Sequence, residues 1–130
     1  MADRDLTILV VDDTPENITA LSAILSEFGK IKAATSGEKA LKICGAEHKP
    51  DLVFLDVMMP EMDGWTVCRK LKADPATKHI PVVFVTALKN EIDKMLAGTL
   101  GSAGYITKPL DPAPIRKLVR LLITQQDGRV

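Results

Sequence analysis

The sequence has few cysteines, no excess of charge and no long apolar run. Its two cysteines, Cys44 and Cys68, lack the spacing of a metal or redox site, so we expect reduced, buried thiols. Its 17 basic and 17 acidic residues give a net charge of zero, so no strong electrostatic field attracts the protein to nucleic acid or anionic lipid. No run approaches the roughly 20 apolar residues of a membrane helix, and residues 1–5 do not begin a signal peptide. We expect a cytoplasmic protein without direct nucleic-acid or membrane partners.

The length and composition predict one folded domain. A chain of 130 residues suits a single domain, since domains most often have about 100–150 residues. Hydrophobic residues make up 46% and charged residues 26%, a balance typical of a chain that buries its own core. We expect the domain to span residues 5–124, with flexible tails at 1–4 and 125–130.

Short apolar runs predict the strands of a sheet that is covered on both faces. Three runs are continuous rather than alternating, at residues 6–11, 52–55 and 82–85. Continuous runs of this length are typical of parallel strands with helices on each side. Two weaker strands are predicted at 30–33 and 104–106.

Apolar residues at helical spacing lie between and after these strands. We expect Thr14 to cap a first helix, and Thr35 with Glu38 to form a capping box before a second. The remaining three helices carry the apolar stripes Trp65, Cys68 and Leu71; Ile92, Met95, Leu96 and Leu100; and Ile115, Leu118, Val119 and Leu122, the last helix opening at Asp111 and Pro112. Alternating strands and helices predict an α/β fold, a doubly wound five-stranded parallel sheet.

Acidic, hydroxyl and basic residues follow four of the predicted strands, at the edge where open α/β sheets bind ligands. They are Asp12 and Asp13 after the first strand, Asp56 after the third, Thr86 at the end of the fourth and Lys108 after the fifth. Three neighbouring carboxylates repel one another unless a cation lies among them, and all-oxygen ligands suit Mg²⁺, with Mn²⁺ as the alternative ion. A carboxylate beside such a cation can attack phosphorus.

Five segments together resemble the receiver domains of two-component response regulators, the CheY-like superfamily. They are Val11-Asp12-Asp13, residues 55–60, Met62-Asp63-Gly64, Thr86-Ala87 and Lys108-Pro109. They occur in the family's order and spacing, and the resemblance extends from Leu6 to about Thr124. It implies a single-domain, flavodoxin-like (βα)₅ sandwich.

The resemblance also implies a role for each matching residue. Asp56 would be the phosphoacceptor, and Thr86 and Lys108 would contact the phosphoryl group. The Mg²⁺ ligands would be the carboxylates of Asp12, Asp13 and Asp56 and the backbone carbonyl of Met58. A cis peptide bond before Pro109 would direct the lysine into the site.

Tyr105 matches the family's aromatic switch residue, which moves together with the hydroxyl residue matched here by Thr86. Family members typically have one or two acidic residues just before this aromatic, whereas this chain has Ser102-Ala103-Gly104. The departure leaves the phosphorylation residues intact and concerns the output surface.

The function implied is a phosphorylation switch rather than a conventional enzyme. A histidine kinase or histidine phosphotransfer protein would donate the phosphoryl group, and the domain would catalyse its own phosphorylation and dephosphorylation. A downstream protein or a second copy would dock on the face of the fourth helix, fifth strand and fifth helix. The chain is either a stand-alone regulator or part of a longer protein.

Three other functions are alternatives for a chain of this kind. A haloacid dehalogenase-type phosphatase usually has a second acid two residues after its nucleophile, where this chain has Met58 after Asp56. A flavin-binding module would need a phosphate cradle, but the first loop is acidic at Asp13 and Glu16. A receiver that acts as a non-phosphorylated adaptor would not need the intact set of site residues.

Taken singly, each site residue is an ordinary strand-end or loop residue, and only their joint placement points to phosphoryl chemistry. Other reactive or bulky side chains are given structural roles. These are Met58, Met59 and Met62 as packing and loop residues, Trp65 as cover for the core, and His48 and His79 without a catalytic part.

Overall fold

The computed structural model describes residues 6–128, and side chains as far as residue 125. Five strands form one parallel sheet, as the alternating pattern predicted. The strands are β1 Leu6–Val11, β2 Gly29–Ala34, β3 Leu52–Leu55, β4 Val82–Thr86 and β5 Gly104–Thr107. Their order in the sheet is β2-β1-β3-β4-β5. Because β1 lies between β2 and β3, the crossover helices cover both faces of the sheet.

Five α-helices follow the strands in turn. They are α1 Pro15–Leu25, α2 Gly37–Cys44, α3 Gly64–Ala73, α4 Glu91–Thr99 and α5 Pro112–Gly128, with a 3₁₀-helix at Ser26–Phe28 after α1. The fifth helix continues beyond residue 124, where the sequence predicted the start of a tail. The predicted tail at 1–4 and the last two residues, 129–130, lie outside the described residues.

Alternate residues of the strands build two cores, one on each face of the sheet. Phe84 lies in the core under α2, α3 and α4, whereas Phe54 lies in the core under α1 and α5. The central strands β3 and β4 are buried at every position, which explains their unbroken apolar sequences. The sheet is therefore the shared wall of both cores.

The two cysteines and Trp65 take the structural roles that the sequence predicted. Cys44 and Cys68 are free and buried, and burial raises the pKa of the Cys44 thiol to about 11. Trp65 packs against the first of the two cores, with its ring centroid 4.8 Å from that of Phe84.

The caps of the first two helices differ from the prediction. The cap of α2 is Ser36, whose hydroxyl accepts a hydrogen bond from the Lys39 amide, so the prediction of Thr35 was wrong by one residue. Thr14 does precede α1, but its side chain makes no capping hydrogen bond. The Asp12 carboxylate instead accepts from the Thr14 amide at 2.9 Å.

The apolar stripe predicted on α4 was wrong in part. Ile92 and Met95 are 77% and 69% exposed, and Ala97 is the residue of α4 that the core buries. Spacing showed which residues share a helical face but not whether a neighbour covers that face. Within residues 6–128, no helix combines the length and apolar character needed to cross a membrane.

Candidate functional site

Asp12 follows β1 and is held in place by three donors. Its backbone amide continues the strand by donating to the Ala34 carbonyl at 3.1 Å. One carboxylate oxygen, Oδ1, accepts from the Thr14 amide at 2.9 Å and from the Asn17 side-chain amide at 3.3 Å. The other, Oδ2, accepts from the Lys108 ammonium at 3.0 Å. Asp12 is only 5% exposed, so its orientation is determined by these contacts.

Asp56 follows β3 and lies beside Asp12. Its backbone amide donates to the Val11 carbonyl at 3.0 Å, which ties the end of β3 to the end of β1. Carboxylate oxygens of Asp12, Asp13 and Asp56 all lie within 4.8 Å of one another. Asp56 is 6% exposed while Asp13 is open to solvent, so the cluster has a buried side and an accessible side.

Lys108, which follows the edge strand β5, brings a positive charge to this cluster. Its ammonium lies 3.0 Å from Asp12 Oδ2 and 3.6 Å from Asp56 Oδ2. The backbone amide of Lys108 donates to the Thr86 carbonyl at 2.9 Å, so β5 and β4 position it together. The peptide bond between Lys108 and Pro109 is cis, the isomer expected from the sequence.

Thr86 and Tyr105 are connected through one residue of the loop after β4. Thr86 is fully buried, and its hydroxyl accepts a hydrogen bond from the Leu88 amide at 3.3 Å. The Tyr105 hydroxyl donates to the Leu88 carbonyl at 2.8 Å. Burial, and secondly the charge of Asp93, raises the pKa of the Tyr105 phenol, which therefore remains a donor at neutral pH.

Burial raises the pKa of the Asp56 carboxyl above its ordinary value. The Lys108 ammonium opposes this shift, whereas the neighbouring Asp12 carboxylate adds to it. Hydrogen bonds from the backbone amides of Met58 and Val57 lower the pKa again. The net direction is upward, so ionised Asp56 is less stable in the folded protein than in water.

The loop after β3 approaches Asp56 closely because Gly64 has no side chain. The Gly64 amide donates to the Val57 carbonyl at 2.8 Å, and a Cβ at this position would collide with the Asp56 carbonyl oxygen. Asp63 caps α3 by accepting from the Thr66 amide at 2.9 Å. The Met58 side chain is exposed and therefore lies outside the core.

The structure thus brings together Asp12, Asp13, Asp56 and Lys108, and places Thr86 at the adjoining strand end. Two contributors were not predicted from the sequence, Asn17 and the Leu88 backbone. Neither an asparagine in a helix nor a backbone carbonyl stands out in a sequence. Gly64 was part of a matching segment and of a turn pair, but its close approach to the Asp56 backbone was not predicted. His48 and His79 are exposed, and no metal-binding cluster of the described residues includes them.

The donor set fits a hard divalent cation. Carboxylate oxygens prefer Mg²⁺, Mn²⁺ or Ca²⁺, whereas zinc and copper sites use imidazole or thiolate. The cluster offers one oxygen from each of three carboxylates and has an accessible side at Asp13. A cation there would relieve the repulsion that the single ammonium of Lys108 only partly offsets.

Comparison with known proteins gives one consistent family. The family model for the response regulator receiver domain matches residues 8–120. The chain is 47% identical over 116 residues, 88% of its length, to the response regulator PleD of Caulobacter vibrioides, and 34% identical over 118 residues to the protein PilH of Pseudomonas aeruginosa. The receiver domain of a histidine kinase from Syntrophus aciditrophicus has 33% identity and a TM-score of 0.83, with 95% of this chain and 93% of that one covered.

The relatives differ in how much of their length the chain spans. It covers about a quarter of the curated relatives at 47% identity, PleD among them. It covers 96% of PilH. The likeness therefore describes one domain, and what surrounds that domain differs between relatives.

Proposed function

Because this chain belongs to the family of response regulator receiver domains of two-component systems, we propose that it is a phosphorylation switch whose phosphoacceptor is Asp56. The observation that carries the proposal is the buried Asp56 carboxylate in a cluster with Asp12 and Asp13, 3.6 Å from the Lys108 ammonium. A nucleophile, a cation site and a fixed positive charge are the parts that phosphoryl transfer requires.

The proposed ligands of Mg²⁺ are the carboxylates of Asp12, Asp13 and Asp56 and the backbone carbonyl of Met58, with Mn²⁺ as an alternative ion. The ion would supply positive charge to the phosphoryl oxygens. Asn17 and the Thr14 amide support the arrangement because they orient the Asp12 carboxylate. The same contacts keep Asp12 from turning away when Lys108 moves toward phosphate.

In the proposed reaction, a carboxylate oxygen of Asp56 bonds to the phosphorus of a donor phosphohistidine. The phosphorus–nitrogen bond breaks, and the imidazole nitrogen of the donor keeps the electron pair. Lys108 neutralises one phosphoryl oxygen and the Thr86 hydroxyl donates to another. Hydrolysis by water later returns Asp56 to a carboxylate and releases phosphate.

The proposed switch runs from Thr86 to Tyr105 through Leu88. If the Thr86 hydroxyl turns to the phosphate, the 3.3 Å hydrogen bond that it accepts from the Leu88 amide is lost. The Leu88 carbonyl is also the acceptor of the Tyr105 hydroxyl, so the same loop movement frees the aromatic side chain. Phosphorylation thus biases an equilibrium between two loop arrangements.

The proposed partners are a histidine kinase or histidine phosphotransfer protein and a downstream protein. The proposed output face comprises α4, β5 and α5, where a second copy is the alternative occupant. Ile92 and Met95 on α4 and Leu121 on α5 are exposed apolar side chains, which supports docking of this kind. Location in the cytoplasm remains a prediction from the sequence.

Intact mass tests the proposed phosphorylation directly. The protein is exposed to a small phosphodonor such as acetyl phosphate, with and without Mg²⁺. We expect one added phosphoryl group in the wild type with Mg²⁺ and none without the ion or in Asp56→Asn. Asp111→Asn is the matched control, because Asp111 is exposed, lies outside the cluster and caps α5 through an oxygen that asparagine retains.

The result also separates the alternatives. An unchanged wild-type mass in Mg²⁺ would contradict the proposal and favour an adaptor. Rapid release of phosphate from many phosphate esters without a stable adduct would favour the phosphatase. An adduct that persists in Asp56→Asn would move the phosphoacceptor to another residue.

A further inference from the structure

A cleft of about 280 Å³ opens between α1 and the loop after β5. Its floor is apolar and consists of sheet residues such as Phe54 and Val85. Ala20 and Leu21 of α1 form one side, and Leu110 forms the other. An apolar cleft of this size adjoins the phosphorylation site but is not used by any step of the proposed reaction.

One side of the cleft is polar and adjoins the carboxylate cluster of Asp12, Asp13 and Asp56. Asp12, Asn17 and Lys108 line it. The Lys108 ammonium is already engaged by Asp12 at 3.0 Å and by Asp56 at 3.6 Å, so it is not free to receive an anionic ligand. The three clustered carboxylates outnumber this ammonium, and the excess negative charge attracts a cation.

The dimensions of the cleft limit the ligand to a small molecule. An apolar cavity of about 150 Å³ already accommodates benzene, and drug-sized ligands occupy pockets of about 300–1,000 Å³. We propose that this cleft binds a small amphipathic cation, with one or two rings or a short aliphatic body against Phe54 and Val85 and an ammonium or amidinium group toward Asp12.

Binding in the cleft would oppose binding of a divalent cation. The ligand's ammonium and the ion would both draw on the Asp12 carboxylate, so each lowers the affinity of the other by the same factor. Only this antagonism depends on the proposed function, since it assumes that Asp12 is a metal ligand. The cleft and its charge stand independently of any phosphorylation.

Three probes of similar size and different charge test the proposal: phenethylamine, phenethyl alcohol and phenylacetate. Binding is followed by calorimetric titration and by backbone amide shifts, in buffer with a chelator and then in Mg²⁺. Ala20→Leu fills the cleft, and Ala23→Leu is the matched control because Ala23 is also an exposed alanine of α1 but does not line the cleft. Neither alanine belongs to the phosphorylation site.

We expect phenethylamine to bind at least about tenfold more tightly than phenylacetate, with the alcohol between them. The amine should shift the amides of Ala20 and Leu110, lose affinity about tenfold in Ala20→Leu and keep it in Ala23→Leu. Equal affinity for amine and acid, unchanged affinity in Ala20→Leu, or no binding to the wild type would each overturn the proposal. The wild-type amide shifts locate the probe even if a variant misfolds.

The Mg²⁺ arm distinguishes failure of this proposal from failure of the proposed function. If the amine binds in the cleft and Mg²⁺ does not weaken it, the cleft assignment holds and Asp12 is not a metal ligand. If the amine does not bind while the intact-mass experiment succeeds, the phosphorylation site holds and the cleft assignment is wrong.

Discussion

At the scale of single residues, the surroundings of Asp56 act on its ionised form in opposite directions. Burial raises its pKa, so the folded protein holds the proton more tightly than the unfolded chain does. The protonated group therefore favours folding below the unfolded pKa of about 3.9. This contribution is lost as the pH rises through the higher pKa of the folded state.

We predict that Asp56→Asn raises the melting temperature at pH 7 by a few °C in metal-free buffer. The neutral amide avoids the cost of ionising a buried carboxyl. The advantage should shrink as the pH falls toward 4 and disappear below about 3.9, where the wild-type carboxyl is neutral in both states. Calorimetry across this range checks the sign, and an equal or lower melting temperature of Asp56→Asn at pH 7 would contradict it.

Two glycines allow a second comparison at this scale. Gly64→Ala should destabilise the protein by about 1–3 kcal/mol, because the new Cβ meets the Asp56 backbone. Gly98→Ala is the control in the last turn of α4, where a Cβ has open space. It should stabilise by about 0.5–1 kcal/mol, since alanine favours helix. Chemical denaturation measures the free energy of unfolding of both variants. If Gly64→Ala is not less stable than Gly98→Ala, the close approach at Gly64 does not have the proposed role.

At the scale of elements, a shift of one residue decides whether a side chain caps a helix. Ser36 rather than Thr35 stands at the N-cap of α2 with extended backbone angles. Both residues carry a hydroxyl group, and the capping-box spacing from Thr35 to Glu38 favoured the wrong one. The strands were easier to predict, because β3 is four apolar residues long and every one is buried.

We predict that Ser36→Ala costs about 1 kcal/mol of unfolding free energy and that Thr35→Ala costs less than about 0.5 kcal/mol. Serine loses the hydrogen bond from the Lys39 amide, whereas the exposed Thr35 hydroxyl accepts only a 3.4 Å contact from the Lys39 ammonium. Urea denaturation of the two variants gives the comparison. Equal costs, or a larger cost at Thr35, would move the start of α2 back by one residue.

At the scale of the whole molecule, the sheet couples two cores that never touch directly. Leu71 of α3 belongs to one core and Leu25 of α1 to the other, and both are essentially inaccessible to solvent. Strand residues point alternately into each core. A loss of packing on one face therefore weakens the strands that support the other.

We predict that Leu25→Ala and Leu71→Ala each cost about 2–5 kcal/mol and lower one common unfolding transition. Trp65 is the single tryptophan and packs on the Leu71 side. Its fluorescence should nevertheless follow the loss of helical circular dichroism in Leu25→Ala. A fluorescence midpoint that stays at the wild-type value in this variant would show that the two cores unfold separately.

The fold and the gathering of polar residues at one edge of the sheet were predictable for a common physical reason. Parallel strands end at one edge of the sheet, so the polar residues after β1, β3, β4 and β5 had to meet there. The support around them was not predictable, because the Leu88 carbonyl has no side-chain signal and the exposure of Ile92 depends on what covers α4. Asn17 likewise acquires its role only when α1 is placed beside Asp12.

The strand order leaves β2 and β5 at the open margins of the sheet. Unpaired backbone amides and carbonyls on such margins invite strand addition by another chain, which leads to aggregation. Lys30 and Lys32 place two cations along β2, and β5 is only four residues long. Charge on one margin and brevity on the other therefore oppose polymerisation of the domain through its sheet.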